Sequence, residues 1–204
     1  MKNRKTILMM ARIGVLGAIA TILYCAPFLQ FGLPFFPPYM KMHLDDLPII
    51  FAAMFGPIEV IGTALVKTLF KFIAPGSETF GIGEFGDLIM SLSLSLPLAI
   101  AVLKKKTLKR YFVGLSIGFA LQLVVSFFLN MLVLLPVYMF VYDLTEAELL
   151  GLANSVAPDV KDLYFSYGLY ISLPFNVLKS AIVFAVFIPS SLTMKRYLLV
   201  KNNK

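Results

Sequence analysis

Lys179 is the one charged residue in the apolar run from Leu163 to Met194, and Asn176 stands three positions before it on the same helical face. An ammonium at that depth in a membrane costs on the order of 2.5–3.5 kcal/mol even on lenient insertion scales. A charge of that cost is kept where something uses it, and the economical user is a polar ligand held inside a membrane protein. Asn130, in the preceding apolar run, adds a second amide that can both donate and accept. Asp46, Lys67, Glu84 and Asp87 are further polar groups in apolar surroundings. Glu84 and Asp87, three apart, share a helical face and have the types of an acid/base pair. The sequence contains no His-Glu-x-x-His, no Gly-x-Ser-x-Gly and no Walker A run, so no catalytic residue is assigned. Without a nucleotide site the chain does not drive primary transport alone. His43, the only histidine, has Asp45 and Asp46 beside it, fewer ligands than a metal centre needs, and no metal is expected.

Composition supports the membrane setting. The 204 residues are 59% hydrophobic and 14% charged, with a mean hydropathy of +0.87. A soluble domain is about half apolar and about a quarter charged. The net charge of +7 does not point to nucleic acid, because the basic residues cluster at the ends of apolar segments. Cys25 is the single cysteine, which excludes a disulfide within the chain. The basic start (Lys2, Arg4, Lys5) followed by apolar residues imitates a signal peptide. The segment runs on to aromatics and proline without a clean cleavage pattern, and is expected to be retained.

Six helices account for the pattern, at about 7–26, 47–55, 57–74, 82–103, 111–140 and 167–194. The expected fold is an all-α integral membrane protein: one six-helix transmembrane bundle over residues 1–204, with an extracellular loop capping an outward-facing ligand pocket. The second helix is too short to span at 1.5 Å per residue and must be buried in protein. Lys2, Arg4, Lys5 and Arg12, then Lys104, Lys105, Lys106, Lys109 and Arg110, then Lys195, Arg196, Lys201 and Lys204 all fall on one side of such a bundle. That side is the cytoplasm, which therefore holds both termini. The opposite segment, Val141–Ser166, carries five acids against Lys161. No internal repeat is visible, which weakens an inverted-repeat transporter.

Helix rise places the polar groups in depth: Asn130 about 15 Å below the outer end, Asn176 and Lys179 about 14 and 18 Å, Lys67 about 10 Å. They gather in the outer half, as for a pocket loaded from outside. Other readings stand beside this one. Asn130 also suits a bond to a neighbouring helix, worth on the order of 1 kcal/mol. Lys71 suits snorkelling, Glu59 a structural role, and Lys179 a buried pair with Asp87 or Glu84. Phe28, Phe31, Phe35, Phe36 and Tyr39, at the pocket mouth, either stack on a planar ligand or anchor the loop at the interface.

Several ordered motifs now resemble one family. Leu44-Asp45-Asp46-Leu47-Pro48, Phe55-Gly56-Pro57, Lys67, Gly76-Ser77-Glu78, Gly83-Glu84-Phe85, Asn130 with Pro136-x-Tyr138, and Leu173-Pro174-Phe175-Asn176-Val177-Leu178-Lys179 run through almost the whole chain. Together they resemble the substrate-binding S-components of energy-coupling factor (ECF) vitamin transporters, the riboflavin-binding members above all. The resemblance implies that Asn130, Asn176 and Lys179 contact the isoalloxazine ring, whose edge of carbonyls and ring nitrogens matches their donors and acceptors. It implies riboflavin as transported ligand rather than resident cofactor. It further implies a membrane coupling subunit docked on Gly14, Gly17 and Ala18, and two cytoplasmic ATPase subunits. Small residues also serve ordinary helix packing. The chain departs from the riboflavin-binding pattern at Asp87-Leu88, where relatives usually carry Asn-Phe, and in its long 141–166 segment. Related S-components for pantothenate share much of the framework, so another vitamin is the nearest alternative. An ion-coupled carrier working alone and an intramembrane enzyme are the alternatives from other classes.

Overall fold

The computed structural model describes the backbone of residues 2–37, 40–73, 76–77, 79–105 and 107–202, with side chains described within 3–193. Tyr39, Pro75, Glu78, Lys106 and the side chains of Lys2, Lys195, Arg196, Lys201 and Lys204 therefore lie outside the described residues. Helix α1 covers Lys2–Cys25 and leads into a loop with a single 3-10 turn and a two-residue antiparallel ladder, β1 (Phe31–Gly32) against β2 (Lys41–Met42). Next come α2 (Asp46–Ala52), α3 (Pro57–Ile73), α4 (Ile82–Leu103) and α5 (Leu108–Leu129). A π-helical turn, Asn130–Leu134, joins α5 to α6 (Leu135–Val141). The segment after α6 holds α7 (Glu146–Asn154); then α8 (Phe165–Tyr167) passes through a second π turn, Gly168–Ser172, into α9 (Leu173–Asn202).

The two π turns have one cause. Pro136 and Pro174 each lie two residues beyond a π segment. A proline ring collides with the carbonyl four residues earlier, and proline has no N–H to give it. Those carbonyls belong to Leu132 and Tyr170, inside the two π turns, where the widened backbone makes room.

Among the described residues, four helical stretches are long and apolar enough to cross a membrane: Asn3–Cys25, Ile82–Leu103, Leu108–Val141 and Phe165–Thr193. The expected six-helix count is therefore not matched by six spanning helices, and two short helices account for the difference. Helix α2 has 7 residues, ends at Ala52, and is buried in protein through Ile49, Ile50 and Ala52. Helix α3 has 17 residues and carries Glu59, Lys67 and Lys71. The 141–166 segment also contributes an element that periodicity did not disclose. Thr145 and Glu148 form a capping box that starts α7.

Two apolar clusters divide the interior. The larger joins Ala20 of α1, Ile49 and Ile50 of α2, Ala64 of α3, Leu94 and Leu98 of α4, Leu115 of α5 and Phe187 of α9. Here α5 meets α4 at backbone distance: a Cβ on Gly118 would stand 2.1 Å from the Leu94 carbonyl oxygen. The second cluster, at the other end, joins loop residues Phe36 and Met42 to Leu135, Leu149 of α7, Tyr167, Ile171 and Phe175.

Candidate ligand-binding cavity

Beside the second cluster lies a cavity of about 650 Å³, which Leu149, Tyr167 and Phe175 of that cluster help to line. Its wall takes Tyr24 from α1, Met40, Lys41 and His43 from the loop, Lys71 from α3, Glu84 and Asp87 from α4, Leu149 and Leu152 from α7, and Asn130, Tyr138, Tyr167, Phe175, Asn176 and Lys179. Asn130 begins the first π turn, and Asn176 and Lys179 follow the second by one and two helical turns. Each asparagine amide nitrogen donates to the carbonyl one turn earlier on its own helix, Asn130 to Ser126 at 2.8 Å and Asn176 to Ser172 at 2.9 Å. That orients the amides; beyond that bond each has a carbonyl oxygen and a second N–H.

The charged floor is a network. Lys179 Nζ lies 2.8 Å from Asp46 Oδ2, 3.7 Å from Asp45 Oδ1 and 3.8 Å from Asp87 Oδ1. Lys67 donates to Asp45 Oδ2 at 2.5 Å, to Asp87 Oδ2, and to Ser91 Oγ at 3.1 Å. Ser91 in turn donates to Asp46 Oδ1 at 2.5 Å. The face of Tyr24 closes over Lys67, with Nζ 4.9 Å from the ring centroid. All five charged groups are buried. A buried ion is tolerable only when paired and hydrogen-bonded, and here every ammonium touches carboxylates on two or three sides.

Of the seven residues expected to bind a ligand, Asn130, Asn176, Lys179, Glu84 and Asp87 line the cavity, whereas Asp46 and Lys67 stand behind its wall and touch it through Lys179 and Asp87. The pairing alternative for Lys179 also has substance, with Asp46 as nearest partner rather than Asp87 or Glu84. Glu84 accepts from Ser77 at 2.7 Å and from Thr79 at 3.4 Å, so it and Asp87 serve different partners and do not form a pair. Glu59 pairs with Arg12 at 3.5 Å, away from the cavity. Gly17 packs against Val66 of α3, while Gly14 and Ala18 face outward from α1.

Sequence reasoning named Asp45 beside His43 but did not count it among the ligand-binding residues, and it passed over Ser91 and Tyr24. Ser91 had a signal, since it lies one turn after Asp87 on the same face of α4. His43, Asp45 and Asp87 present ligand atoms within 4.8 Å of one another. The Lys67 ammonium is already bonded to both carboxylates and takes the place a cation would fill.

Residues 8–191 match the ECF transporter, substrate-specific component family. The chain belongs to that family. Its curated relatives include the riboflavin transporter RibU of Staphylococcus aureus (strain TCH60), 30% identical over 86% of this chain and 84% of that one. They also include the riboflavin transporter FmnP of Bacillus subtilis (strain 168), 25% identical over 85% and 86%. A solved S component of a bacterial ECF transporter superposes with a TM-score of 0.69 at 26% identity, covering 97% of this chain and 99% of that one. This ECF substrate-specific component is thus a membrane protein whose task is binding a transported substrate, and its cavity is the place in the described residues where polar side chains converge.

Proposed function

We propose that this chain captures riboflavin from outside the cell and presents it for ATP-driven uptake. One observation carries the reading: Asn130, Asn176 and Lys179, from two different helical stretches, meet on one cavity whose volume falls within the roughly 300–1,000 Å³ of small-molecule sites. The two curated relatives, both riboflavin transporters by name, support the vitamin. In this reading the two amides and Lys179 meet the polar edge of the flavin ring. Glu84 and Asp87 face the rest of the ligand, and Asp46 and Lys67 set the groups in front of them.

The finer arrangement follows from the charge pattern. The chain forms one transmembrane unit of six helices, α3 and the buried α2 among them, with both termini in the cytoplasm. The loop between α1 and α2 caps the cavity on the outer side. Gly14 and Ala18, exposed on α1, with Gly17 behind them, dock the membrane coupling subunit, and two cytoplasmic ATPase subunits supply the energy.

The test is the absorbance of the protein purified from cells grown in rich medium, followed by titration with riboflavin. A yellow preparation, or quenching of flavin fluorescence at nanomolar concentration, is the expected result; nanomolar binding corresponds to about 12 kcal/mol and survives purification. A colourless protein that leaves added riboflavin fluorescent moves the assignment to another vitamin, pantothenate first. Uptake by this chain without ATPase subunits would instead establish an ion-coupled carrier.

A further inference from the structure

Asp45 is wholly buried and does not line the cavity, yet it touches three separate parts of the molecule. Its Oδ1 meets Nδ1 of His43 on the loop and stands 3.7 Å from Nζ of Lys179 on α9. Its Oδ2 accepts from Lys67 of α3 at 2.5 Å. His43 is itself a cavity wall residue, held edge-on against Tyr24 with ring centroids 4.7 Å apart. One carboxylate therefore stands between a loop residue that borders the cavity and the lysine that faces it.

We propose that Asp45 is a positioning residue that couples the seating of the loop at His43 to the placement of Lys179, so that closing the cavity and preparing it for the ligand are one event. The neighbouring acid has a different task. Asp46 holds Lys179 directly at 2.8 Å and is fixed from behind by Ser91, so it anchors the lysine without reaching the loop. The balance of charge makes Asp45 the separable member. Asp45, Asp46 and Asp87 face the two ammonium groups of Lys67 and Lys179. Asp45→Asn leaves two carboxylates for two ammoniums and keeps an acceptor oxygen for Lys67, so the buried cluster stays paired. What it removes is the charged partner of His43.

The inference rests on the capture reading for its ligand measurement, and a second measurement frees it from that dependence. In stopped-flow binding of riboflavin, Asp45→Asn and His43→Gln are each expected to raise the dissociation rate on the order of tenfold, with association little changed. The double variant is expected to dissociate no faster than either single one, because both cut the same link. A merely structural role would instead make the effects additive and lower thermal stability in step. Independently of any ligand, a spin label on Lys41→Cys in a Cys25→Ser background reports loop motion. Asp45→Asn is expected to sharpen its spectrum in the ligand-free protein. Additive dissociation rates, or a label spectrum unchanged by Asp45→Asn, overturn the proposal. If wild type binds no riboflavin while the label is freed by Asp45→Asn, the vitamin assignment falls and the role of Asp45 stands.

Discussion

The two ends of the bundle are held together by different physics. At the cavity end, six buried charged residues, two asparagines and an open space sit among aromatic and aliphatic side chains. At the far end α4 and α5 meet at Gly114 and Gly118 with backbone against backbone, and the polar contacts are sparser: one ion pair, Arg12 with Glu59 at 3.5 Å, and single hydrogen bonds such as Tyr111 with Ser191 at 2.5 Å. In lipid there is no hydrophobic gain from helix association, so close packing through small residues is what the far end has available. The cavity end gives up that packing to keep a space open, and binds its walls together with ions instead. Function and cohesion are therefore mixed at one end and separate at the other.

That contrast can be broken first at Lys67. Lys67→Met leaves three buried carboxylates facing Lys179 alone, and is expected to destabilise the protein by about 3–5 kcal/mol, seen as loss of monodisperse protein in detergent and a lowered melting temperature. A stable, ligand-binding Lys67→Met would mean that the ion network does not hold the cavity end. At the far end, Gly118→Ala forces a Cβ toward the Leu94 carbonyl and is expected to cost about 1–3 kcal/mol of stability while leaving ligand affinity per folded molecule unchanged. A fall in affinity with no change in melting would show that the two ends are not separable.

Smaller changes sharpen the division within the cavity end. Asn176→Ala removes a cavity-facing amide that no ion depends on. It is expected to weaken riboflavin binding by about ten- to a hundredfold, corresponding to about 1–3 kcal/mol, with melting unchanged; isothermal titration beside a thermal scan reads both. Lys179→Ala differs, because it also strips Asp46 of its nearest cation, and is expected to lower both affinity and melting temperature. The smallest effect concerns α7. The Thr145 backbone N–H and hydroxyl hold the Glu148 carboxyl below the usual carboxylate range. A lowered folded-state value means that this cap stabilises α7 above the ordinary carboxylate range and is lost as pH falls through the lowered value. The protection factors of the α7 amides, exchange rates corrected for the intrinsic effect of pH, should fall in acid, and Glu148→Gln should remove that dependence.

Asn130, Asn176 and Lys179 were legible in the sequence because each is a polar side chain in a run that otherwise belongs in lipid, and the cost of placing it there singles it out. The burial of α2 was legible from its length alone. Asp45 was not, because adjacent carboxylates at the start of a helix look alike in one dimension, and only packing turned Asp46 toward Lys179 and Asp45 toward Lys67 and His43. Nor was α7 legible: its short apolar pattern reads as loop until Leu149 and Ala153 find a surface to bury against.

By itself, then, the sequence determined that the chain lives in a membrane, where its helices run, and which few polar groups are too costly there to be idle. Those properties are set by local composition and by the solvation of single residues. The tertiary structure decided which carboxylate holds which lysine, that Asp46 and Lys67 stand behind the cavity rather than in it, and that one buried acid touches both His43 of the loop and Lys179 of the cavity wall. Pairing of charges depends on distances between helices far apart in the chain, and no local pattern encodes those distances.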